Sequence, residues 1–285
     1  MEKTQGIRLI ACDMDGTLLN DKKQFPPDLG EIVAELNRRG VRFTTASGRS
    51  YASQIQSFTK LLGKETAEKM DYICDNGAFI VEGGKVVTIH EMDWGFLREL
   101  LKACEGVEDI MILFCGVNGT YHLPYTPIFE QKAHSYYVNN VEVQDLANID
   151  DVIFKVAICD LRGPENNVYK KLAPLFGETM SLQISGVEWV DVMNPGINKG
   201  VALKDLRDRL DIAFEETMAF GDFFNDVGLL ENAGCSFVMA NSHPEMFRKG
   251  RYVAKSNNEC GVTDAIRRYV LDGEPFPEEN PQFEP

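Results

Sequence analysis

Short apolar runs alternate with amphipathic segments through the first third of the chain. The run IRLIAC at 7–12 predicts a buried strand, VRFTTA at 41–46 predicts a second, and DYIC begins a third. Helical periodicity fills the intervals 26–40 and 50–63. This alternation predicts a parallel sheet whose crossovers are right-handed.

The pattern changes after DNGAFIVEGGKVVTI, where a Gly-Gly pair between two apolar runs predicts a hairpin. Two similar helix-strand-strand blocks follow, and we expect them to form a separate α+β domain between about residues 84 and 188. The predicted hinges of this insertion lie near Gly83–Gly84 and Ser185–Gly186. Its predicted elements are a helix at 94–104, strands near 109–116 and 119–123, a helix around 126–138, a strand at 151–159, a helix around 164–176 and a strand near 180–185.

The alternation of predicted strands and helices resumes after residue 188. NKGVALKDLRDRL predicts a helix, ETMAFGD a strand, and CSFVMAN another strand. We therefore predict an α/β protein with a Rossmann-like parallel-sheet core, residues 1–83 and 189–285, and an inserted α+β domain, residues 84–188.

The amino-acid composition limits the kinds of molecule that the protein is expected to bind. With 44% hydrophobic and 26% charged residues among 285, the chain has the composition of an ordinary globular protein. Its net charge of -15 disfavours binding to nucleic acid or to an anionic membrane. Seven cysteines without a CxxC pair, and an N-terminus without a long apolar run, lead us to expect free thiols and a cytoplasmic location.

Four polar motifs fall at predicted strand or helix ends: DMDGT, ASGR, NKG and GDFFND. Ligands of parallel α/β sheets bind beyond the carboxyl ends of the strands, so these motifs should meet at one edge. Four aspartates would then lie close together, and carboxylates so placed cannot all stay ionised without a cation. Because oxygen donors suit hard ions, Mg²⁺ is the expected metal for Asp13, Asp15, Asp222 and Asp226.

The remaining groups in the motifs suit a phosphate. Lys199 offers a compact positive charge, Ser47 a hydroxyl, and the turn at residues 15–17 a set of backbone amides. With metal and phosphate both bound, one aspartate can act as nucleophile, and its neighbour two residues on as general acid and then base.

These motifs, in this order, resemble the haloacid dehalogenase superfamily, and within it the Cof-type sugar phosphatases with a subclass IIB-like cap. The resemblance covers nearly the whole chain. It implies that Asp13 is the nucleophile and Asp15 the acid/base, and that Arg49 and Asn76 line the entrance. It further implies phosphate binding by Ser47, Gly48, Lys199 and Asn225, and metal binding by Asp13, the backbone carbonyl of Asp15, Asp222 and Asp226.

Plainer interpretations remain open for several of these residues. Arg49 is equally suited to pairing with a structural carboxylate, and Asn76 to holding a turn. Asp226 is a possible helix-capping residue, and Lys199 a possible ordinary lysine at a helix start. Trp189 is assigned to packing.

The predicted function is an Mg²⁺-dependent phosphatase that hydrolyses small phosphorylated metabolites through an aspartyl-phosphate. The alternatives are a phosphomutase of the same fold and a phospho-accepting signalling module, although such modules are shorter and lack the second acid. Sugar phosphates, nucleotide-like cofactors and pyridoxal phosphate all remain possible substrates, and the chain is expected to be a monomer or homodimer. Two departures from the family pattern are Ser47, where threonine is usual, and Phe223, where a small or polar residue is more common.

We predict that Asp13→Asn abolishes turnover without unfolding the protein. The amide is nearly isosteric with the carboxylate but lacks its nucleophilicity. Phosphate release from an aryl phosphate, measured beside the thermal melting curve, checks this. Comparable turnover in a well-folded Asp13→Asn protein would remove Asp13 from the nucleophile role.

Overall fold

The computed structural model describes residues 6–284, which form two β-sheets with helices packed against them. The strands are β1 Leu9–Cys12, β2 Arg42–Ala46, β3 Asp71–Cys74, β4 Phe79–Glu82, β5 Lys85–Ile89, β6 Ile110–Gly116, β7 Thr120–His122, β8 Asn140–Glu142, β9 Ile153–Asp160, β10 Ser181–Gly186, β11 Trp189–Met193, β12 Thr217–Gly221, β13 Cys235–Met239 and β14 Tyr252–Ala254. The helices are α1 Leu29–Arg38, α2 Tyr51–Leu62, α3 Lys64–Lys69, α4 Trp94–Cys104, α5 Pro127–Tyr136, α6 Val168–Phe176, α7 Lys199–Leu210, α8 Val227–Glu231 and α9 Gly261–Ala265, which continues as a π-helical turn Ile266–Leu271.

The first sheet has the strand order β14-β13-β12-β1-β2-β3-β4-β5. Neighbours from β14 to β3 are parallel, whereas β4 and β5 form an antiparallel hairpin at the edge. The central strand β1 is wholly buried, as expected for a parallel strand with helices on both faces of its sheet. The predicted α/β core and the predicted Gly83–Gly84 hairpin are therefore confirmed.

The second sheet has the order β10-β11-β9-β6-β7-β8 and is antiparallel except where β7 meets β8. Every residue of β9 is buried, because its neighbours and helices α4 and α6 cover it. We call residues 94–193, from α4 to β11, the inserted region. Its alternation of helix and strand matches the predicted α+β insertion.

Sheet membership differs from the predicted boundaries at both ends of the insertion. Strand β5, placed beyond residue 84, pairs with β4 in the first sheet, while β11, placed after residue 188, pairs with β9 and β10 in the second. The predicted hinges, Gly83–Gly84 and Ser185–Gly186, each lie within a hairpin of a single sheet. The chain crosses between the sheets at residues 90–93 and 194–198, where the Asn194 amide donates to the carbonyl oxygens of His90 and Glu91.

The cysteines agree with the expected free thiols. All seven cysteines lie within residues 6–284 and are free thiols, and six of them are buried. Over the same part of the chain, no helix combines the length and apolarity needed to cross a bilayer.

The backbone of the loop after β3 lies in close contact with the backbone at the start of α7. Gly77 has φ 102°, and a Cβ there would lie 2.5 Å from the Asn198 carbonyl oxygen. This contact holds the Asp75–Gly77 turn against the helix that begins with Lys199.

We predict that Gly77→Ala lowers the free energy of unfolding by at least about 3 kcal/mol, because strain and a backbone clash add. Gly40→Ala is the matched control: φ is 72°, but no heavy atom lies within 4 Å of the position that its methyl group would take. It should cost only about 1 kcal/mol, the penalty of the left-handed conformation alone. Urea unfolding of both variants measures the difference, and equal losses would contradict the clash.

Candidate active site

One buried lysine lies between two carboxylates at the carboxyl edge of the first sheet. Asp13 follows β1, Lys199 begins α7, and Asp226 precedes α8. The Lys199 ammonium is fully buried and lies 2.6 Å from Oδ1 of each aspartate. Lys199 is therefore not an ordinary lysine at a helix start, because its charge compensates the two acids.

A third carboxylate completes an acidic cluster. Asp222 follows β12 and accepts a hydrogen bond of 2.7 Å from the Thr17 hydroxyl. Carboxylate oxygens of Asp13, Asp222 and Asp226 lie within 4.8 Å of one another. Burial and the charge of Asp226 raise the pKa of Asp222 to about 7. Burial also raises the pKa of Asp13, although Lys199 opposes the rise.

The cluster suits a hard divalent cation. Three acids share one lysine, so negative charge remains in excess, and every side-chain donor is an oxygen. Asp226 Oδ1 pairs with Lys199, while its Oδ2 accepts the backbone N–H groups of Asp222 and Phe223. Asp226 thus fixes the turn that carries Asp222, and its side chain does not cap α8.

The Asp15 carboxylate is not part of this three-acid cluster and contacts two basic side chains. Arg49 holds it with two hydrogen bonds, of 2.6 and 2.7 Å, and the Lys23 ammonium lies 2.7 Å away. Burial opposes ionisation, but the hydrogen bonds and charges of Arg49 and Lys23 hold the pKa of Asp15 at about 2. Arg49 therefore pairs with a carboxylate, and that carboxylate is the predicted acid/base.

The other predicted residues meet in three adjoining loops. Ser47 is buried after β2, and its Oγ accepts the Arg49 backbone N–H at 3.2 Å. Asn225 donates through Nδ2 to Asn76 Oδ1 at 3.2 Å. Asn76 is buried with φ 53°, so it holds a turn and also contacts the GDFFND loop. Gly48 packs against the Asn76 side chain.

A cleft of about 310 Å³ opens over these loops. Sequence patterns did not reveal its far wall, which the inserted region supplies. The lining residues from that region include Tyr136, Tyr137, Ser185, Val187, Trp189 and Asp191. Lys155 was also missed, although a lone lysine within the apolar run VIFKVAIC was a signal that could have found it.

Comparisons with known proteins show the family of the chain. A family described as haloacid dehalogenase-like hydrolase matches residues 10–266. The 5-amino-6-(5-phospho-D-ribitylamino)uracil phosphatase YbjI of Escherichia coli (strain K12) is 31% identical over 274 residues, or 95% of this chain and 98% of that protein. The structure of SMU.1108c from Streptococcus mutans UA159 has a TM-score of 0.85 at 25% identity and covers 93% of this chain and 100% of that one.

A further structural neighbour is similar in fold alone. The HAD subclass IIB sugar phosphatase BT4131 has a TM-score of 0.79 at 19% identity, covering 93% of this chain and 99% of that one. The chain belongs to the haloacid dehalogenase-like hydrolases. The expected family and enzyme class, a phosphoric monoester hydrolase, are confirmed, and this removes the signalling-module alternative.

We predict that Mg²⁺ raises the melting temperature more at about pH 8 than at about pH 5.5. Without metal, the folded Asp222 ionises near pH 7, and an unfolded aspartate near about pH 4. The contribution of Asp222 to stability is therefore present at low pH and lost as the pH rises to 7. Bound Mg²⁺ offsets this loss only where the carboxyl has released its proton.

Differential scanning fluorimetry with and without Mg²⁺ measures the shift at both pH values. Asp222→Asn should abolish the difference between them, whereas Asp264→Asn, on a surface ion pair with Lys255, should leave it unchanged. A pH-independent shift in the unchanged chain would contradict binding at this cluster.

Proposed function

We propose that this chain is an Mg²⁺-dependent phosphatase that acts through an aspartyl-phosphate on Asp13. The observation that carries the proposal is the Lys199 ammonium at 2.6 Å from both Asp13 and Asp226, inside a buried acidic cluster. The Lys199 charge opposes the protonation of Asp13 that burial favours, and the hydrogen bond fixes the orientation of a carboxylate that lines the cleft. An ionised, oriented carboxylate is what nucleophilic attack requires.

The proposed reaction has two displacements. An Asp13 oxygen attacks phosphorus, forming a carboxylate–phosphorus bond while the bond to the leaving oxygen breaks. Asp15 gives its proton to that oxygen. Asp15 then takes a proton from water, whose oxygen attacks phosphorus and releases inorganic phosphate. Asp13 is regenerated, so one water is consumed for each ester.

Proton donation needs Asp15 to leave its present partners. With a pKa of about 2 in the Arg49 and Lys23 contacts, Asp15 is in its base form at neutral pH. A substrate phosphate entering beside Ser47 competes for the Arg49 guanidinium. Without the Arg49 contact, Asp15 keeps only the Lys23 charge, so its pKa rises and it takes up a proton from solvent water before the cleft closes.

We propose that Mg²⁺ is held by Asp13, Asp222 and the backbone carbonyl of Asp15, with Asp226 orienting the Asp222 turn. When bound, the ion neutralises the excess carboxylate charge and the charge of the phosphoryl group. Ser47, Gly48, Lys199 and Asn225 are proposed to contact that group. The free thiols support the proposed cytoplasmic location.

The inserted region is proposed to act as the cap of a subclass IIB-like enzyme. Its residues line the same cleft as Asp13, so it can exclude water and select the leaving group. Residues 90–93 and 194–198, where the chain crosses between the sheets, replace Gly83–Gly84 and Ser185–Gly186 as the proposed hinges.

We further propose that the favoured leaving group carries a flat ring. The wall is aromatic: Tyr136 packs edge-on against Trp189 at 5.6 Å between ring centroids, and Phe223 of the GDFFND loop also lines the cleft. Aromatic faces bind planar groups better than they bind the hydroxyls of a hexose. The aminouracil-containing ester in the name of the Escherichia coli relative has such a ring.

A panel of esters tests the proposal: an aryl phosphate, hexose phosphates, pyridoxal phosphate and 5-amino-6-(5-phospho-D-ribitylamino)uracil. We expect phosphate release equal to the ester consumed, which excludes a phosphomutase, and a kcat/KM at least about tenfold higher for ring-bearing metabolites. Tyr136→Ala should remove that preference. Tyr125→Ala is the matched control, since Tyr125 stacks on His122 elsewhere in the inserted region.

The outcomes separate the two parts of this proposal. Absence of phosphate release from every ester in the presence of Mg²⁺ would overturn the phosphatase mechanism. Equal or better turnover of hexose phosphates, unaffected by Tyr136→Ala, would leave the mechanism standing and reject the ring-bearing substrate class.

A further inference from the structure

One lysine of the inserted region reaches the loops of the first sheet. Lys155 lies on β9, and its side chain is fully buried. Its ammonium lies 2.6 Å from Asp75 Oδ1 and 3.9 Å from Asp191 Oδ1. It also donates a hydrogen bond of 3.0 Å to the Gly48 carbonyl oxygen. Because Asp75 and Gly48 follow strands β3 and β2, Lys155 bridges the two regions.

A buried ammonium persists only where acceptors and opposite charge replace its lost hydration. Within residues 6–284, Asp75 Oδ2 has no hydrogen-bond donor, so Lys155 is the group that compensates the Asp75 charge. Burial raises the pKa of Asp75, and Lys155 opposes that rise. The buried lysine of β9 therefore serves a specific contact.

The contact with Gly48 orients a whole peptide plane. The Gly48 carbonyl and the Arg49 N–H belong to one planar peptide group, so fixing the carbonyl fixes the N–H. That N–H donates to Ser47 Oγ at 3.2 Å. With its oxygen accepting this bond, the Ser47 hydroxyl is left to donate its own proton into the cleft.

A second path reaches the same loop. Asp191, on β11, accepts a hydrogen bond from the Asn76 side chain, and the Asn76 backbone N–H donates to the Ser47 carbonyl oxygen at 3.0 Å. The Asp75 backbone N–H likewise donates to the Arg49 carbonyl oxygen at 3.1 Å. Strand β9 therefore connects to residues 47–49 through Lys155, and strand β11 connects to them through Asp191 and Asn76.

We propose that Lys155 is a positioning residue for phosphate binding: by holding the Gly48–Arg49 peptide, it orients the Ser47 hydroxyl and couples the seating of the cap to the phosphate site. The inference rests on the proposed phosphatase function and deepens it. Lys155 does not touch the substrate, and its action passes through the loop of residues 47–49.

The test uses the full chain, an aryl phosphate too small to need the cap, and inorganic phosphate as inhibitor. Lys155→Met should raise the inhibition constant of inorganic phosphate about tenfold and lower kcat/KM by at least that factor, because a misplaced binding loop weakens both. Hydrogen exchange of the segment 44–50 should accelerate. Lys132→Met, which breaks the pair with Glu188 inside the inserted region, is the matched control and should change none of these.

Removing Lys155 alone leaves buried carboxylates uncompensated, so a charge-balanced variant is also needed. Lys155→Met combined with Asp75→Asn removes one charge of each sign and keeps a residue that tolerates the left-handed backbone at position 75, φ 51°. Asp75→Asn alone retains Lys155 and should bind phosphate normally. The double variant should show the tenfold weaker phosphate inhibition.

Normal phosphate inhibition and normal exchange of the 44–50 segment in the double variant would overturn the proposal, whatever its melting temperature. So would an Asp75→Asn protein as impaired as the double variant, or failure of both Lys155 variants to fold beside a folded Asp75→Asn protein. A wild-type chain that hydrolyses no ester would refute the phosphatase function, while binding of inorganic phosphate and hydrogen exchange would still decide the role of Lys155.

Discussion

The Lys199 ammonium, held between Asp13 and Asp226, is the interaction on which the site depends. A parallel strand that ends on a buried aspartate is unfavourable unless a cation compensates the charge. Lys199 does this for two acids at once, at 2.6 Å from each. Because a third acid, Asp222, shares the cluster, the compensation is incomplete, and the residual negative charge supports the proposed binding of Mg²⁺.

The fold brings these groups together through strand order. In the first sheet, β1 lies between β12 and β2, so the loops after all three strands meet at one edge. Asp13, Asp222 and Ser47 are the residues at those strand ends. The helix that carries Lys199 is placed by the close contact between Gly77 and the Asn198 backbone, which leaves no space for a side chain. This backbone–backbone contact therefore fixes the start of the helix, and with it the position of Lys199 between the carboxylates.

Local patterns predicted most of the core and the acidic residues, but they did not predict pairings between distant segments. Apolar runs located β1 and β2, and the Gly-Gly pair located the β4–β5 hairpin, because each depends on neighbours in sequence. The predicted boundaries placed β5 and β11 with the wrong sheets because strand pairing depends on contacts between segments distant in sequence, which local patterns do not report. The Arg49–Asp15 pair and the Lys155 contacts join residues 34 and 107 positions apart, and no periodicity reports them.

The position of the inserted region and the protonation of Asp15 are linked through one loop. Residues 47–49 carry the Ser47 hydroxyl, the carbonyl bound by Lys155, and the guanidinium that holds Asp15 ionised. In the proposed reaction, a substrate phosphate draws Arg49 away from Asp15, while the same loop remains bound to β9 of the inserted region through Lys155. In the proposed mechanism, protonation of Asp15, the proposed general acid, and closure of the cleft would then be coupled. Such coupling keeps Asp15 from donating a proton while the cleft is open to water.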